Sequence, residues 1–383
     1  MNLATLNTLT PAQTAATDKV RALRDSLATA FYERKDEATC IALALLAREH
    51  VLLLGPPGTG KSAITQAAAK AIGGAYFERL MTAFTVPEEL FGPYSIQGLQ
   101  EDRYERKVDG YLPTATVGFL DEIFKAGSPI LNALLTILNE RDFDSGSTRM
   151  HCPLEICIGA SNELPAEGLD ALADRFVLRR WVQPIKDRDA RRALLATRGE
   201  PAVAVRLTPE DLAEARAAAA AVQVPDAVTE ALLDLHDALG TELGMYVSDR
   251  RLRKMVKLVR AHAALCGRAV AQLDDLLVLT DAIWQKPEER PAVHALVCRT
   301  VAPALAEALK VLDAATELMG KVPEAGLANV QGLANANTQL QQMVATVKGM
   351  AEGSERVLEI AARIEAMADD VARKVSASLG RRR

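Results

Sequence analysis

Eight consecutive residues, Gly55-Pro-Pro-Gly-Thr-Gly-Lys-Ser62, have the types and spacing that hold a chain of phosphates. Glycines let successive backbone N–H groups turn inward on an anion, and a following helix aims its positive end at the same point. Lys61 reaches the β- and γ-phosphoryl oxygens, and the Ser62 hydroxyl is a ligand for Mg²⁺. The expected nucleotide-binding set is therefore Gly55, Pro56, Pro57, Gly58, Thr59, Gly60, Lys61, Ser62 and Ala63, with ATP as its ligand. An apolar strand signal precedes the loop and the helix-forming Ala63-Ile-Thr-Gln-Ala-Ala-Ala-Lys70 comes after it, the context that such a site requires.

About sixty residues on, Val117-Gly-Phe-Leu120 runs into Asp121-Glu122. Adjacent residues of a strand point to opposite faces, so the two carboxylates should divide their labour. Asp121 is expected to hold Mg²⁺ and Glu122 to orient and polarise the water that attacks the γ-phosphorus. The next apolar run ends in Asn162, a neutral polar group suited to sensing the γ-phosphate; its bland alternative is a turn-capping Asn before Glu163-Leu-Pro. Arg175, in Leu172-Ala-Asp-Arg-Phe176, stands directly before a strand, where a guanidinium can be delivered to a neighbouring subunit's nucleotide. A salt bridge to Asp170 or Asp174 is the other reading. Tyr246-Val-Ser-Asp-Arg-Arg251 opens a helix whose first-turn arginines, Arg250 ahead of Arg251, could fold back on the nucleotide. Cations are poorly placed at a helix N-terminus, so these should answer an anion or a carboxylate.

The elements that must position these groups are legible as alternating strands and helices. The runs 50–54, 75–80, 117–120, 154–159 and 176–181 read as the strands of one parallel five-stranded sheet in an α/β core. Past Pro184 the pattern becomes helix after helix, with starts at Thr208-Pro-Glu and Ser248-Asp. The expected division is an α/β core with an N-terminal helix over 1–190, an all-α lid over 191–285, and a C-terminal helical domain over 286–383. In the last, apolar residues recur at helical spacing through Leu340, Met343, Val347 and Met350, then Val357, Ile360, Ile364, Met367 and Val371. A break at Gly353-Ser354 favours a hairpin or three-helix bundle over one coiled coil, with the stripe as its core.

A composition 49% hydrophobic and 25% charged, with net charge near −5, is that of a soluble protein and gives no general attraction to polyanions. Five scattered cysteines lack metal-ligand spacing and read as reduced core residues. No leader pattern and no apolar run of membrane-spanning length is present, so a cytoplasmic location is expected. The terminal Gly380-Arg-Arg-Arg383 reads as a solvated tail.

Taken together, these motifs resemble the AAA+ ATPases over roughly residues 20–285 and, more narrowly, the MoxR family. Val86-Pro-Glu-Glu-Leu-Phe-Gly-Pro-Tyr-Ser-Ile-Gln97, Arg103-Tyr-Glu-Arg106 and Gly110-Tyr-Leu-Pro113 look like the helix-2 insertion of its RavA subgroup, as does the stretch from Phe119 to Arg141. Residues 143–152 look like that clade's hairpin before the sensor strand. The resemblance implies a hexameric, chaperone-like ATPase that remodels or matures other proteins, often beside a partner with a von Willebrand factor A (VWA) domain. It thins after about residue 290. A nucleic-acid motor is the rival, but acids outnumber bases over residues 92–114, and Asp142 and Asp144 offset Arg141 and Arg149, whereas a loop tracking a phosphate backbone should be basic. A nucleotide-gated scaffold is the third alternative.

Overall fold

A computed structural model describes residues 8–146, 148–164, 170–199, 201–324, 329–351 and 355–380. The chain divides into two compact units, Met1–Val293 and His294–Arg383. In the first, helices α1 (Pro11–Ala30) and α2 (Lys35–Ala47) lead into β1 (Val51–Leu54), α3 (Lys61–Ile72), β2 (Tyr76–Leu80), the short α4 (Pro87–Phe91) and α5 (Ile96–Gln100), and β3 (Val117–Asp121). Then come α6 (Ser128–Glu140), β4 (Asp142–Ser145), β5 (Thr148–His151), β6 (Ile156–Ser161), α7 (Asp170–Ala173) and β7 (Leu178–Trp181). Five strands pair in parallel in the order β2-β3-β6-β1-β7, while β4 and β5 form a separate antiparallel hairpin. Helices cover both faces of the central strands, which explains why every residue of β1 and β6 is buried and why these runs are apolar rather than alternating.

The five apolar runs are the five strands of this sheet, with each start one or two residues later than the sequence suggests, except at Val117. Helix starts obey their caps. Thr10 and Thr208 each close a capping box with Pro at the next position, and Ser248 accepts from Arg251 N. Beyond β7 lie α8 (Arg188–Ala196), α9 (Pro209–Ala221), α10 (Asp226–Leu243), α11 (Asp249–Leu265) and α12 (Thr280–Ile283), and α13 (Arg290–Val301) begins in this unit and continues into the second. The helix α1 packs on α2 and α9, burying Val20, Leu23 and Leu27, so the chain before the sheet and the helices after it share one core.

In the second unit α14 (Pro303–Lys321), α15 (Val330–Gly349) and α16 (Glu355–Gly380) pack pairwise as a three-helix bundle. Leu340, Val347, Val357, Ile360, Ile364 and Val371 of the apolar stripe are buried in its core, while Met343, Met350 and Met367 are half-buried. The expected turn at Gly353-Ser354 and the tail residues Arg381–Arg383 lie outside the described residues. Among the described residues no helix is long and apolar enough to cross a membrane.

One cysteine departs from expectation, and one buried histidine bears on stability in acid. Cys40, Cys152, Cys157 and Cys298 are buried, but Cys266 is exposed. It caps the end of α11, where its thiol faces His262 and Arg268, and its pKa falls to about 7 against the opposing effect of burial. His50 is 1% exposed; its Nε2 meets Leu138 O at 2.8 Å and its Nδ1 accepts from Cys157 N at 3.0 Å. Both ring nitrogens are thus committed as a neutral tautomer. Burial first, then the Arg141 charge, push the His50 pKa down to about 3. A depressed folded pKa means stability that is present above the unfolded value near 6.5 and is lost as pH falls toward 3. Between pH 7 and pH 5 that loss is about 2 kcal/mol, from roughly 1.4 kcal/mol per unit. Denaturant unfolding at the two pH values should show it, and His50→Gln should flatten that part of the slope; an unchanged slope in the variant would assign the acid sensitivity elsewhere.

Candidate active site at the ends of three adjacent strands

Neighbouring strands β3, β6 and β1 end at the same edge of the sheet. Because they are parallel, the residues just beyond their C-terminal ends converge: Asp121-Glu122 from β3, Asn162 from β6, and the loop 55–60 from β1. Residues 57–63, Asp121, Glu122 and Asn162 line one cleft of about 390 Å³. Gly55 is required by a close approach, since at φ 142° a Cβ would stand 2.3 Å from Val182 O, just past the end of β7. Gly60, at φ 85° with open space around it, caps α3 in a left-handed conformation that would strain another residue. The loop amides and the N-terminus of α3 thus face the cleft, as a phosphate cradle does.

The Lys61 Nζ donates to Gly55 O at 2.7 Å, Pro56 O at 3.0 Å and Asn162 Oδ1 at 2.9 Å. Burial pulls its pKa down, opposed by the charges of Asp121 and Glu122. The same Asn162 side chain donates through Nδ2 to Glu122 Oε1, and Lys125 Nζ lies 3.5 Å from Glu122 Oε2. One amide therefore joins the phosphate-loop lysine to the second acid. Asp121 Oδ1 accepts from Glu122 N at 3.0 Å, and burial raises the Asp121 pKa, with Glu122 adding to that rise.

The two acids do not divide between opposite faces of a strand, as alternation would have them. Extended backbone ends at Asp121, and Glu122 takes φ 52°, ψ 42°, a left-handed conformation costly for a residue with a Cβ. The chain reverses there, so both carboxylates line the same cleft. Ser62 lines that cleft with Asp121. One hydroxyl and one carboxylate suit Mg²⁺, which takes its remaining oxygens from phosphates and water, and among the described residues no group of three or more His, Cys, Asp or Glu could hold a metal alone.

Arg34 is a site residue that sequence reasoning missed. Buried before α2, it donates through Nε and Nη2 to Thr59 O at 3.2 and 2.9 Å, and through Nη2 to Gln183 O at 2.8 Å. It fastens the phosphate loop to the exit of β7. Its surroundings, Glu33-Arg-Lys-Asp-Glu37, read as an ordinary polar helix start, and no spacing rule marks it.

Neither Arg175 nor Arg250 is among the residues lining this cleft. Arg250 donates to Asn139 Oδ1 near the end of α6 instead of folding back on the loop 55–62. Arg175 lies near enough to Arg250 for that charge, after burial, to lower its pKa; its Nη1 is 3.8 Å from Asp174 Oδ2 and its buried Nε has no acceptor among the described residues. The Asp170 side chain lies outside the described residues. Arg251 is committed to structure, with Asp174 Oδ1 at 2.6 Å and Ala282 O at 2.8 Å, so the carboxylate demanded by a cation in a helix's first turn is Asp174.

The two insertions touch each other. Phe91 stacks on Phe143 with ring centres 5.3 Å apart, Arg106 N donates to Ser145 Oγ at 2.9 Å, and the Arg106 guanidinium sits 4.0 Å from the Tyr94 ring centre. Arg149 on the hairpin is enclosed by Glu140, Asp144 and Asp142 at 2.8, 3.3 and 3.6 Å, which neutralises the hairpin's exposed base.

A parallel sheet of this order, a phosphate loop after its β1, an acid pair after β3 and a polar residue after β6 define the P-loop fold of AAA+ ATPases. The family model for the MoxR domain of MoxR–vWA–β-propeller ternary systems matches residues 18–213, and the AAA lid domain matches residues 227–297. The chain belongs to the MoxR family of AAA+ proteins. An uncharacterized protein of Methanocaldococcus jannaschii is 40% identical over 269 residues, covering 70% of this chain and 72% of that one. The protein MoxR of Methylorubrum extorquens is 28% identical over 206 residues, 50% of this chain and 58% of that one. A crystal structure of a candidate ATPase from Cytophaga hutchinsonii superposes with a TM-score of 0.62 at 17% identity, covering 76% of this chain and 96% of that one, a likeness of fold.

Proposed function

We propose that this chain is a MoxR-type ATPase that converts ATP and water to ADP and phosphate within an oligomeric ring, a hexamer, to remodel or mature partner proteins in a chaperone-like manner. The observation that carries this reading is the meeting of Lys61, Asn162 and Glu122 in one hydrogen-bonded chain inside the phosphate-loop cleft. The loop amides and Lys61 hold the β- and γ-phosphates. Glu122 accepts the proton of the attacking water, and Asn162 orients that water and reports whether the γ-phosphate is present. Ser62 and Asp121 would hold Mg²⁺, which would supply charge neutralisation on the phosphates.

Arg175 and Arg250 lie together outside their own chain's cleft, which supports assigning both to the nucleotide of an adjacent subunit. Within the first unit, residues 1–190 serve as core and 191–285 as the lid whose motion hydrolysis drives; residues 286–383 form the C-terminal helical domain. The RavA subgroup is proposed on the resemblance of residues 86–97, 103–106, 110–113, 119–141 and 143–152. A VWA-domain partner is inferred from the systems for which the matching family model is described. The exposed Ile96 and Tyr104 of the insertion offer apolar contacts to a client in the cytoplasm. The enclosed Arg149 argues against a nucleic-acid motor.

The direct test is ATP binding by Lys61→Ala. Losing a charge-assisted contact to the phosphates should weaken affinity by roughly tenfold or more, from about 1.5–3 kcal/mol per charged hydrogen bond. Unchanged affinity by fluorescence titration would mean that this loop is not the nucleotide site.

A further inference from the structure

A second concave surface of the first unit lies away from the phosphate loop, a cleft of about 750 Å³ between the C-terminal ends of α2 and α6 and one face of α11. Seven cations and two carboxylates, Glu49 and Asp249, line it. Five of the cations, Arg250, Arg253, Lys254, Lys257 and Arg260, come from α11 at the 3-, 4-, 7- and 10-residue spacings that place them along one stripe of the helix. The others, Arg48 and Arg141, cap α2 and α6 in left-handed backbone conformations.

Some of this charge is absorbed locally. Arg141 donates to Leu154 O at 2.9 Å and Arg48 O at 2.8 Å, and Glu49 pairs with Lys254 at 2.9 Å and Lys257 at 3.1 Å. Arg48, Arg253 and Arg260 have no carboxylate partner among the described residues, and the buried Arg260 Nε has no acceptor there. The surplus is felt nearby: Arg141 is pushed down to about 10 by burial and then by Arg48 and Arg216, and Lys254 is lowered by burial, with Arg250 adding to the effect. A protein of net charge −5 has thus concentrated unpaired guanidinium groups in one concavity.

We propose that the part of this cleft beyond Arg250 is a second anion site, distinct from the chain's own phosphate-loop cleft and from the neighbouring nucleotide assigned to Arg250, that binds the polyphosphate moiety of a small molecule through Arg48, Arg253, Lys257 and Arg260. Guanidinium forks match the oxygens of phosphate, and walls on three sides raise the local potential above that of a flat patch. The interruption of the stripe by Glu49 and Asp249, and its confinement to one cavity, suit a compact anion better than an extended nucleic-acid backbone.

The test is isothermal titration of inorganic tripolyphosphate into the full-length Lys61→Ala protein, in which binding at the phosphate loop is suppressed. One saturable site is expected, weakened at least tenfold by Arg253→Ala/Lys257→Ala/Arg260→Ala and largely kept by the charge-conserving Arg253→Lys/Arg260→Lys. Circular dichroism checks that the triple variant folds; if it does not, Arg253→Glu at the exposed end of the stripe replaces it and should weaken binding several-fold. The proposal is overturned if tripolyphosphate shows no saturable binding to the Lys61→Ala protein, or binds the charge-depleted variants equally well. It is also overturned if a single-stranded oligonucleotide binds this cleft more tightly than tripolyphosphate, which would make it a nucleic-acid surface.

Discussion

Glu122→Gln is expected to lower ATP turnover by about 10²–10⁴-fold, the range for removing a general base, while leaving ATP affinity within a few-fold. The amide is nearly isosteric and can still meet Asn162, whose Nδ2 donates to Glu122 Oε1, so the cleft keeps its shape and loses only its proton acceptor. Steady-state phosphate release would measure the first quantity and equilibrium binding of a fluorescent ATP analogue the second. Turnover near wild type would remove Glu122 from the reaction and leave Asp121, which lines the same cleft, as the acid to examine. Equal loss of binding and turnover would instead mean that the carboxylate holds the loop together through Asn162 and Lys61.

Arg175→Ala should cost about 10³-fold in turnover, the scale of an arginine delivered to a transferring phosphoryl group. Since Arg175 does not line its own chain's phosphate cleft, the loss should be repairable across subunits. Mixing Arg175→Ala chains with Lys61→Ala chains creates some interfaces in which an intact loop faces an intact arginine, so activity should reappear and peak at an intermediate ratio. Absence of rescue at every ratio would place Arg175 in a structural role beside Asp174, 3.8 Å away. Arg250→Ala measured alongside separates its contribution from that of Arg251, whose loss would strand Asp174 and unsettle the fold.

Much of the sheet is legible in the sequence because doubly covered parallel strands are continuous apolar runs, and His50–Leu54 and Ile156–Ser161 advertise themselves that way. The phosphate loop is legible for a related reason: its chemistry depends on backbone amides, and the glycines that free them are conspicuous. Features decided by long-range approach are hidden. Arg34 reaches Thr59 across 25 positions, and Arg250 reaches Asn139 across 111, distances over which no periodicity carries information. The left-handed Glu122 is hidden for the opposite reason. It is a local choice against propensity, imposed by the β3 exit, and a rule of alternating faces applies only while the backbone stays extended. Cys266 escapes the general tendency of free cysteines toward the core because it stands one residue past the end of α11, where helical periodicity no longer decides which side chain is covered.

The bond between Arg251 and Asp174 has a mechanical side. Asp174 immediately precedes Arg175 and Arg251 comes immediately after Arg250, so one 2.6 Å ion pair ties together the two chain segments that carry Arg175 and Arg250. Arg251 also donates to Ala282 O among the later helices, and Arg179 of β7 donates to Trp284 O, one more fastening between the sheet's edge strand and the helices after it. A lever with its fulcrum this close to its tip transmits rotation with little slack. Swinging α11 would advance or withdraw both guanidinium groups in step, making the pair a single moving part.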